Sequence, residues 1–160
     1  MGIKSKTVEE LLDIRKNLKI LGKKVVMTNG CFDLLHGGHI HLFRAAKKYG
    51  DILIVALNDD ASITKIKGPY RPIFKLRERI EILEAVESIN FLVSFKEETP
   101  QKLISRILPD VLVKGGDWGK DEIVGREEVE SAGGEVVVVP YLPGSSTTEI
   151  IEKVLQLNKS

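Results

Sequence analysis

The chain has 160 residues, of which 42% are hydrophobic and 29% charged, and its formal net charge is +1. This composition is typical of one globular domain, and the near-neutral charge excludes a general attraction to nucleic acid or to an anionic membrane surface. The single cysteine, Cys31, excludes an intrachain disulfide and suits a cytoplasmic location. Any anionic ligand must therefore be bound by a local group of donors and cations.

Short apolar runs alternate with helical patterns along the chain. Five β-branched runs predict strands: Lys24–Thr28, Asp51–Leu57, Asn90–Phe95, Asp110–Lys114 and Glu135–Pro140. These runs are continuous rather than alternating, which is typical of strands buried on both faces of a parallel sheet. The alternation of strands and helices predicts an α/β fold with a doubly wound parallel sheet. We expect a single domain, 1–160, with residues 1–22 as an N-terminal helical extension and residues 23–155 as the core.

Helical spacing of apolar residues predicts the elements between the strands. The predicted helices are Thr7–Leu21, Gly38–Tyr49, Leu76–Val86, a helix that starts at Thr99-Pro100, a shorter helix near Val129 and a C-terminal helix after Ser146. The Thr99-Pro100 pair offers a capping hydroxyl and then a proline at the first helical position. Residues 65–75, rich in Lys, Arg, Gly and Pro, predict an irregular loop.

The stretch NGCFDLLHGGHIHL, residues 29–42, contains all three histidines and directly follows the first predicted strand. Ligands of open α/β sheets bind at the carboxyl ends of the strands, and a glycine-containing turn into a helix binds anions through free backbone N–H groups. His36 and His39 lie three residues apart, so they share one face of the first helical turn and can donate to phosphate oxygens. A metal-binding pair and a solvated turn are the alternative interpretations.

Within this stretch, GCFDLLHGGH resembles the G-x-F-D-x-x-H-x-G-H pattern of the cytidylyltransferase-like nucleotidyltransferases. The resemblance implies a Rossmann-like α/β fold that binds a nucleoside triphosphate, with His36 and His39 binding the triphosphate and stabilising the transition state. It makes Asp33 the candidate ligand of a magnesium ion, and it leaves His41 outside the pattern as an exposed helix residue. The implied nucleotide contacts in this stretch are Asn29, Gly30, Phe32, Asp33 and Gly38.

PGSSTTEII, residues 143–151, resembles the second motif of this family, a Ser-Thr-Thr sequence before a helix. Ser146 and Glu149 also have the spacing of a capping box. The resemblance implies that phosphate oxygens meet this helix start at Ser146, Thr147 and Thr148, and a capped helix without further function is the alternative. In glycerol-phosphate cytidylyltransferases an arginine-threonine pair precedes the motif; here the matching place reads YLPG, which argues against that branch.

VKGGDW, residues 113–118, follows the fourth predicted strand and resembles the heptose 1-phosphate adenylyltransferase branch of the family. Contacts to the base or sugar are implied for Lys114, Gly115, Gly116 and Asp117. Trp118 could stack on the nucleotide or close its pocket. A turn with a surface tryptophan is the alternative interpretation of these residues.

KGPYRPI, residues 67–73, lies in the basic loop and resembles the same branch. A nucleoside triphosphate brings several negative charges, so cations are needed near it. We predict Lys67 as the phosphate clamp, Arg77 as a second phosphate contact, and Arg71 as the contact to the sugar phosphate. A solvated basic face is the alternative.

Together the resemblances imply that an oxygen of a sugar 1-phosphate attacks the α-phosphorus of ATP and that pyrophosphate leaves. A phosphate monoester is already a competent nucleophile, so no general base is required, and Cys31 is expected to be a small buried residue. Catalysis then depends on positioning and charge stabilisation by His36, His39 and Lys67, with Mg²⁺ between phosphate oxygens. The substrates would be ATP and D-glycero-β-D-manno-heptose 1-phosphate.

The same motifs also serve cytidylyltransferases that act on glycerol 3-phosphate or phosphoethanolamine, and FAD synthetases. A nucleotide-binding regulatory module is the alternative from outside the enzymes. Many members of the heptose branch are fused to a sugar kinase, for which 160 residues leave no room. A stand-alone enzyme is therefore expected, and the resemblance implies a homodimer.

Overall fold

The structure is a computed structural model, and it describes residues 2–116, 118–142, 144 and 146–158. The helices are α1 (Val8–Ile20), α2 (Gly37–Lys47), α3 (Asp60–Lys67), α4 (Leu76–Glu84), α5 (Gln101–Ile107), α6 (Arg126–Ser131) and α7 (Thr147–Leu157). The strands are β1 (Val25–Gly30), β2 (Ile52–Asn58), β3 (Phe91–Phe95), β4 (Val111–Gly115) and β5 (Glu135–Val139).

The five strands found in the described residues form one parallel sheet in the order β3-β2-β1-β4-β5. The chain moves outward from β1 to β3 and then returns to place β4 on the other side of β1. The carboxyl ends of β1 and β4 therefore flank the point where the strand order reverses. In open α/β sheets this point is where a crevice for a ligand opens.

Both faces of the sheet are covered, which confirms the predicted doubly wound architecture. On one face, buried residues of α1, α5 and α6, such as Leu11, Ile104 and Val129, pack on the sheet. On the other face, α2 and α4 contribute Phe43 and Leu83. Burial on both sides explains why the strands read as continuous apolar runs.

The segment 60–67 folds as α3, where the sequence had predicted no helix, and the predicted loop 65–75 therefore begins only after Lys67. Asp59 caps α3 by accepting a hydrogen bond from the Ser62 backbone N–H. The helix has eight residues and buries only Ser62 and Ile63, so its apolar periodicity is too weak to indicate a helix.

The predicted helix start at Thr99-Pro100 is wrong by one position. Pro100 itself is the N-cap of α5, and it makes no side-chain capping bond. Thr99 is exposed, so its hydroxyl does not cap the helix. The buried stripe of α5 nevertheless contains the expected Leu103, Ile104 and Ile107.

The N-terminal helix α1 is part of the domain core rather than an extension of it. Leu11 is 0% exposed, and Arg15 forms an ion pair of 2.8 Å with Asp110, just before β4. Asp110 also accepts a hydrogen bond from the Val25 backbone N–H at the start of β1. The expected boundary at residue 22 is therefore not a boundary in the packing.

Candidate active site

Two imidazoles lie at the start of α2, directly after β1. His36 is the N-cap, and its Nδ1 accepts a hydrogen bond from the Gly38 backbone N–H at 3.2 Å. The rings of His36 and His39 stack with centroids 3.7 Å apart. Because Nδ1 of His36 is an acceptor, the proton of the neutral ring is on Nε2, which leaves an N–H donor for a ligand.

Both histidines are held neutral near pH 7. Burial lowers the pKa of His39 to about 4, and repulsion from His36 adds to this effect. Burial also lowers the pKa of His36, against the opposite effect of the Glu149 carboxylate at the start of α7. Nδ1 of His39 is buried and has no hydrogen-bond partner among the described residues.

Phe32 packs against His39 of the imidazole pair. It is 6% exposed, and its ring contacts His39 edge-on and packs against Phe43 at 5.0 Å. It adopts a φ of +46°, a region that non-glycine residues rarely occupy. A Cβ on Gly30 would stand 3.0 Å from this ring, so the glycine makes room for it. The structure thus gives Phe32 a packing role, and its contact with the nucleotide stays a prediction.

Asp33 holds the loop 68–75 against the end of β1. Its buried carboxylate accepts hydrogen bonds from the backbone N–H groups of Ile73 and Phe74, and Arg71 Nε lies 2.6 Å from one of its oxygens. Burial alone would raise the pKa of Asp33, but these bonds hold it below the usual value. Both oxygens accept hydrogen bonds beside a cation, so the structure gives Asp33 a role in holding the loop, and its role in metal and nucleotide binding stays a prediction.

Arg79 of α4 is a structural part of the site that the sequence motifs did not indicate. It is 1% exposed, and it donates to the backbone carbonyl groups of Cys31, Asn58 and Phe74. It also forms an ion pair of 2.9 Å with Asp60. One side chain thus joins the loop after β1, the end of β2 and the segment before α4.

The thiol of Cys31 lies among four cationic groups, those of Lys67, Arg71, Arg79 and Lys114. Burial raises the pKa of Cys31 although these cations oppose the effect, so the thiol is neutral and no nucleophile. Burial lowers the pKa of Lys114, and Lys67 lowers it further. The two arginines are paired with carboxylates, whereas neither lysine has an ion-pair partner among the described residues. Two uncompensated ammonium groups favour an anionic ligand.

The carboxyl end of β4 provides a glycine turn beside α2. Gly115 lies close to Leu42, where a Cβ would stand 3.2 Å from the leucine side chain. Gly116 has a φ of +123° and is buried. Trp118 is 45% exposed, donates a hydrogen bond from Nε1 to the Gly115 carbonyl group, and lies under Lys114 Nζ at 5.7 Å. The predicted contact Asp117 lies outside the described residues.

The start of α7 carries a capping box and a charge that acts on His36. Ser146 and Glu149 form the predicted capping box, with bonds of 3.1 and 2.9 Å. The charge of Glu149 acts on His36, which places this helix start beside the start of α2. The backbone N–H groups of Thr147 and Thr148 have no partner within the helix, so they are available to an anion.

Several predicted residues are less closely tied to this site. Arg77 is exposed on the first turn of α4, and no contact recorded in the described part of the chain joins it to the histidines. Asn29 is half-buried at the end of β1. Within the same described residues, no group of three or more His, Cys, Asp or Glu side chains could hold a metal ion. None of the described helices is both long enough and apolar enough to cross a membrane.

The strand order, the imidazole pair and the facing helix start define a nucleotide-binding α/β domain. The family model described as cytidylyltransferase-like matches residues 27–153, which is most of the chain. The chain belongs to this family, and it is a nucleotidyltransferase by class.

Two curated relatives are bifunctional proteins named HldE. The protein from Chromohalobacter salexigens is 50% identical over 145 residues, which are 91% of this chain and 30% of the relative. The protein from Salmonella paratyphi A is 52% identical over 148 residues, which are 92% of this chain and 31% of the relative. The chain thus spans about a third of the length of these relatives.

Solved structures confirm the fold. A lipopolysaccharide core biosynthesis protein from Thermoplasma volcanium has a TM-score of 0.61 at 30% identity, and the match covers 76% of this chain and 98% of that one. A pantoate-beta-alanine ligase from Francisella tularensis also has a TM-score of 0.61, with coverage of 99% and 80%. Its identity is only 16%, so it demonstrates a similar fold alone.

Proposed function

We propose that this chain transfers the adenylyl group of ATP to D-glycero-β-D-manno-heptose 1-phosphate, giving ADP-heptose and pyrophosphate. The observation that carries the transfer chemistry is the stacked pair of His36 and His39 between the end of β1 and the start of α7. The choice of acceptor rests on the stretches around Lys67 and Lys114 and on the relative from Thermoplasma volcanium, which is described as a lipopolysaccharide core biosynthesis protein.

In this proposal the histidines act as neutral donors. The sugar phosphate oxygen attacks the α-phosphorus in line with the leaving pyrophosphate, and negative charge spreads over the phosphoryl oxygens. His36 Nε2–H and the His39 ring would bind those oxygens from one side. Neutral imidazoles stack without mutual repulsion, and they need no change of protonation during the transfer.

Positive charge would come from the two lysines that lack ion-pair partners in the described part of the chain. Lys67, at the end of α3, and Lys114, at the end of β4, both act on the thiol of Cys31 and so lie near it. Arg71 is fixed at Nε by Asp33, which leaves its terminal amino groups for the phosphate of the acceptor. The backbone N–H groups at the start of α7 complete the set of donors.

Magnesium enters this proposal with ATP, as part of the substrate. The described residues contain no group of three or more His, Cys, Asp or Glu side chains that could hold a metal ion, so protein groups would supply at most a minority of its ligands, with Asp33 as the candidate. Mg²⁺ commonly retains several waters and binds substrate phosphates in such sites. It would offset part of the triphosphate charge there.

The proposal is tested by magnesium-dependent release of pyrophosphate. ATP and CTP are each assayed with D-glycero-β-D-manno-heptose 1-phosphate, glycerol 3-phosphate and phosphoethanolamine. The variant His39→Ala is compared with His41→Ala, which removes an exposed imidazole from the same helix. We expect release with ATP and the heptose phosphate, a loss of at least about 100-fold in kcat for His39→Ala, and wild-type turnover for His41→Ala.

Other results would favour a different function or contradict the assigned site. Release only with CTP and another acceptor would move the chain to a cytidylyltransferase branch while retaining the site. ATP binding without release for any acceptor would favour a nucleotide-binding regulatory module. Equal turnover of His39→Ala and His41→Ala would contradict the assignment of the imidazole pair.

A further inference from the structure

Two exposed aromatic side chains meet at the carboxyl ends of β4 and β5. Tyr141 is 63% exposed and Trp118 is 45% exposed, although both are large rings. A Cβ on Gly116 would stand 2.8 Å from the Tyr141 ring and 3.0 Å from Trp118 Nε1. Both rings therefore pack closely over Gly116, where a larger residue would not fit.

The two rings differ in what already covers them. The ring of Trp118 is fixed by its hydrogen bond to the Gly115 carbonyl group, and the ammonium group of Lys114 lies over it. Among the described residues, no ring and no cation lies over Tyr141. Tyr141 is thus the more exposed of the two rings, and Trp118 is fixed beside it.

The two rings lie on the same edge of the sheet as the imidazole pair. β4 is the neighbour of β1, and β5 is the neighbour of β4, so the donors after β1 and the rings after β4 and β5 share the carboxyl edge. Lys114 joins the two places, because it lies over Trp118 and also acts on Cys31. A nucleotide with its phosphates at the histidines would extend its base toward the rings.

We propose that Tyr141 is the platform on which the base of the nucleotide stacks, and that it favours the larger purine ring of ATP over a pyrimidine. This inference rests on the proposed function, and it adds a specificity-determining residue to it. The affinity that stacking on an aromatic ring contributes increases with the area of the base. Removal of such a ring weakens binding by roughly 5- to 100-fold. The triphosphate part of the nucleotide gains no affinity from this contact.

The test uses the single tryptophan of the chain, because Trp118 lies beside Tyr141 and its fluorescence reports ligand binding at this place. Dissociation constants of ATP, CTP and inorganic tripolyphosphate are measured for the wild type, Tyr141→Ala and Tyr141→Phe. Tyr49→Ala is the matched control, since Tyr49 follows α2 near the opposite edge of the sheet. Thermal unfolding of each variant checks that the fold is retained.

For Tyr141→Ala we expect ATP binding about tenfold weaker, a smaller loss for CTP, and tripolyphosphate binding within about twofold of the wild type. Tyr141→Phe and Tyr49→Ala should bind ATP as the wild type does. Unchanged ATP binding by Tyr141→Ala would overturn this inference. The proposed function, which the pyrophosphate-release assay tests, would still stand. Equal weakening of ATP and tripolyphosphate would also overturn this inference. A wild-type chain that binds ATP no better than tripolyphosphate would overturn both the inference and the proposed function.

Discussion

Single residues in this site have environments that set their protonation. His39 packs against Phe32 and stacks on His36, and these two contacts shield its ring from water. Lys114 is similarly desolvated at the end of β4. Perturbed pKa values of this kind are concentrated in functional sites, and here they coincide with the geometry that favours an anion.

The low pKa of His39 predicts a pH dependence of stability. The folded chain binds a proton at His39 with a pKa of about 4, whereas an unfolded chain does so near its ordinary value of about 6.5. Between these pH values the unfolded chain binds more protons, so the free energy of unfolding falls as the pH falls from about 6.5 to about 4. For His39→Gln we expect this fall to be smaller by about 2 kcal/mol.

Urea denaturation at pH 7.0 and pH 4.5 measures this difference. His41→Gln serves as the control, because His41 is exposed on the same helix, and it should retain the wild-type pH dependence. Parallel pH profiles for the wild type and His39→Gln would mean that His39 titrates normally in the folded chain.

At the scale of elements, the site is assembled by side chains that join segments distant in sequence. Asp33 holds the loop 68–75 against the end of β1, and Arg79 on α4 holds the backbone of Cys31 and Asn58. These contacts hold Arg71 and its loop against the segment between β1 and α2, which carries the imidazole pair. Contacts with Asp33 of the histidine motif therefore order the loop 68–75.

The role of Asp33 in ordering this loop predicts the effect of Asp33→Asn. The substitution removes the charge partner of Arg71 and leaves a partly buried guanidinium group uncompensated. We expect a loss of about 3 kcal/mol in the free energy of unfolding. We also expect faster hydrogen exchange at the Ile73 and Phe74 backbone N–H groups and a higher KM for the acceptor.

Hydrogen exchange followed by mass spectrometry measures the loop directly. Asp13→Asn is the control, because Asp13 is exposed on α1 and pairs only with Lys16 in the described contacts. Unchanged exchange in residues 68–75 would contradict the assigned role of Asp33. A KM for ATP that rises as much as the KM for the acceptor would contradict the placement of Arg71.

At the scale of the whole molecule, the packing of α1 makes the chain one cooperative unit. Leu11 belongs to the same buried cluster as Ile104 of α5 and Val129 of α6. A homodimer stays a prediction from the family resemblance, because no partner chain tests it. The integration of α1 is testable in the single chain.

For Leu11→Ala we expect a loss of about 3 kcal/mol in the free energy of unfolding, because the substitution leaves a cavity in a fully buried cluster. Trp118 fluorescence and far-UV circular dichroism should report the same shifted midpoint, since the tryptophan lies far along the chain in the same domain. Leu21→Ala is the control: Leu21 is 70% exposed, so its replacement should change stability by less than about 0.5 kcal/mol. A shift seen only by circular dichroism would mean that α1 unfolds separately.

The sequence by itself determined the elements whose signals are local. Continuous apolar runs predicted all five strands of the described sheet, because burial on both faces leaves no room for alternation. The capping box of Ser146 and Glu149 was likewise readable, since both partners lie within four residues. The histidine motif gave the family, which the match over residues 27–153 confirmed.

Only the tertiary structure decided which charged residues face the ligand and which hold the fold. Arg79 lies three residues after Leu76 and four before Leu83, so its place on the buried stripe of α4 was visible in the sequence. Its partners were not, because they come from the ends of β1 and β2. The contacts of Asp33 with the loop 68–75, and of Tyr141 with the region of Trp118, likewise join segments that are distant in the sequence. Contacts across such sequence separations are set by the strand order, which no local pattern contains.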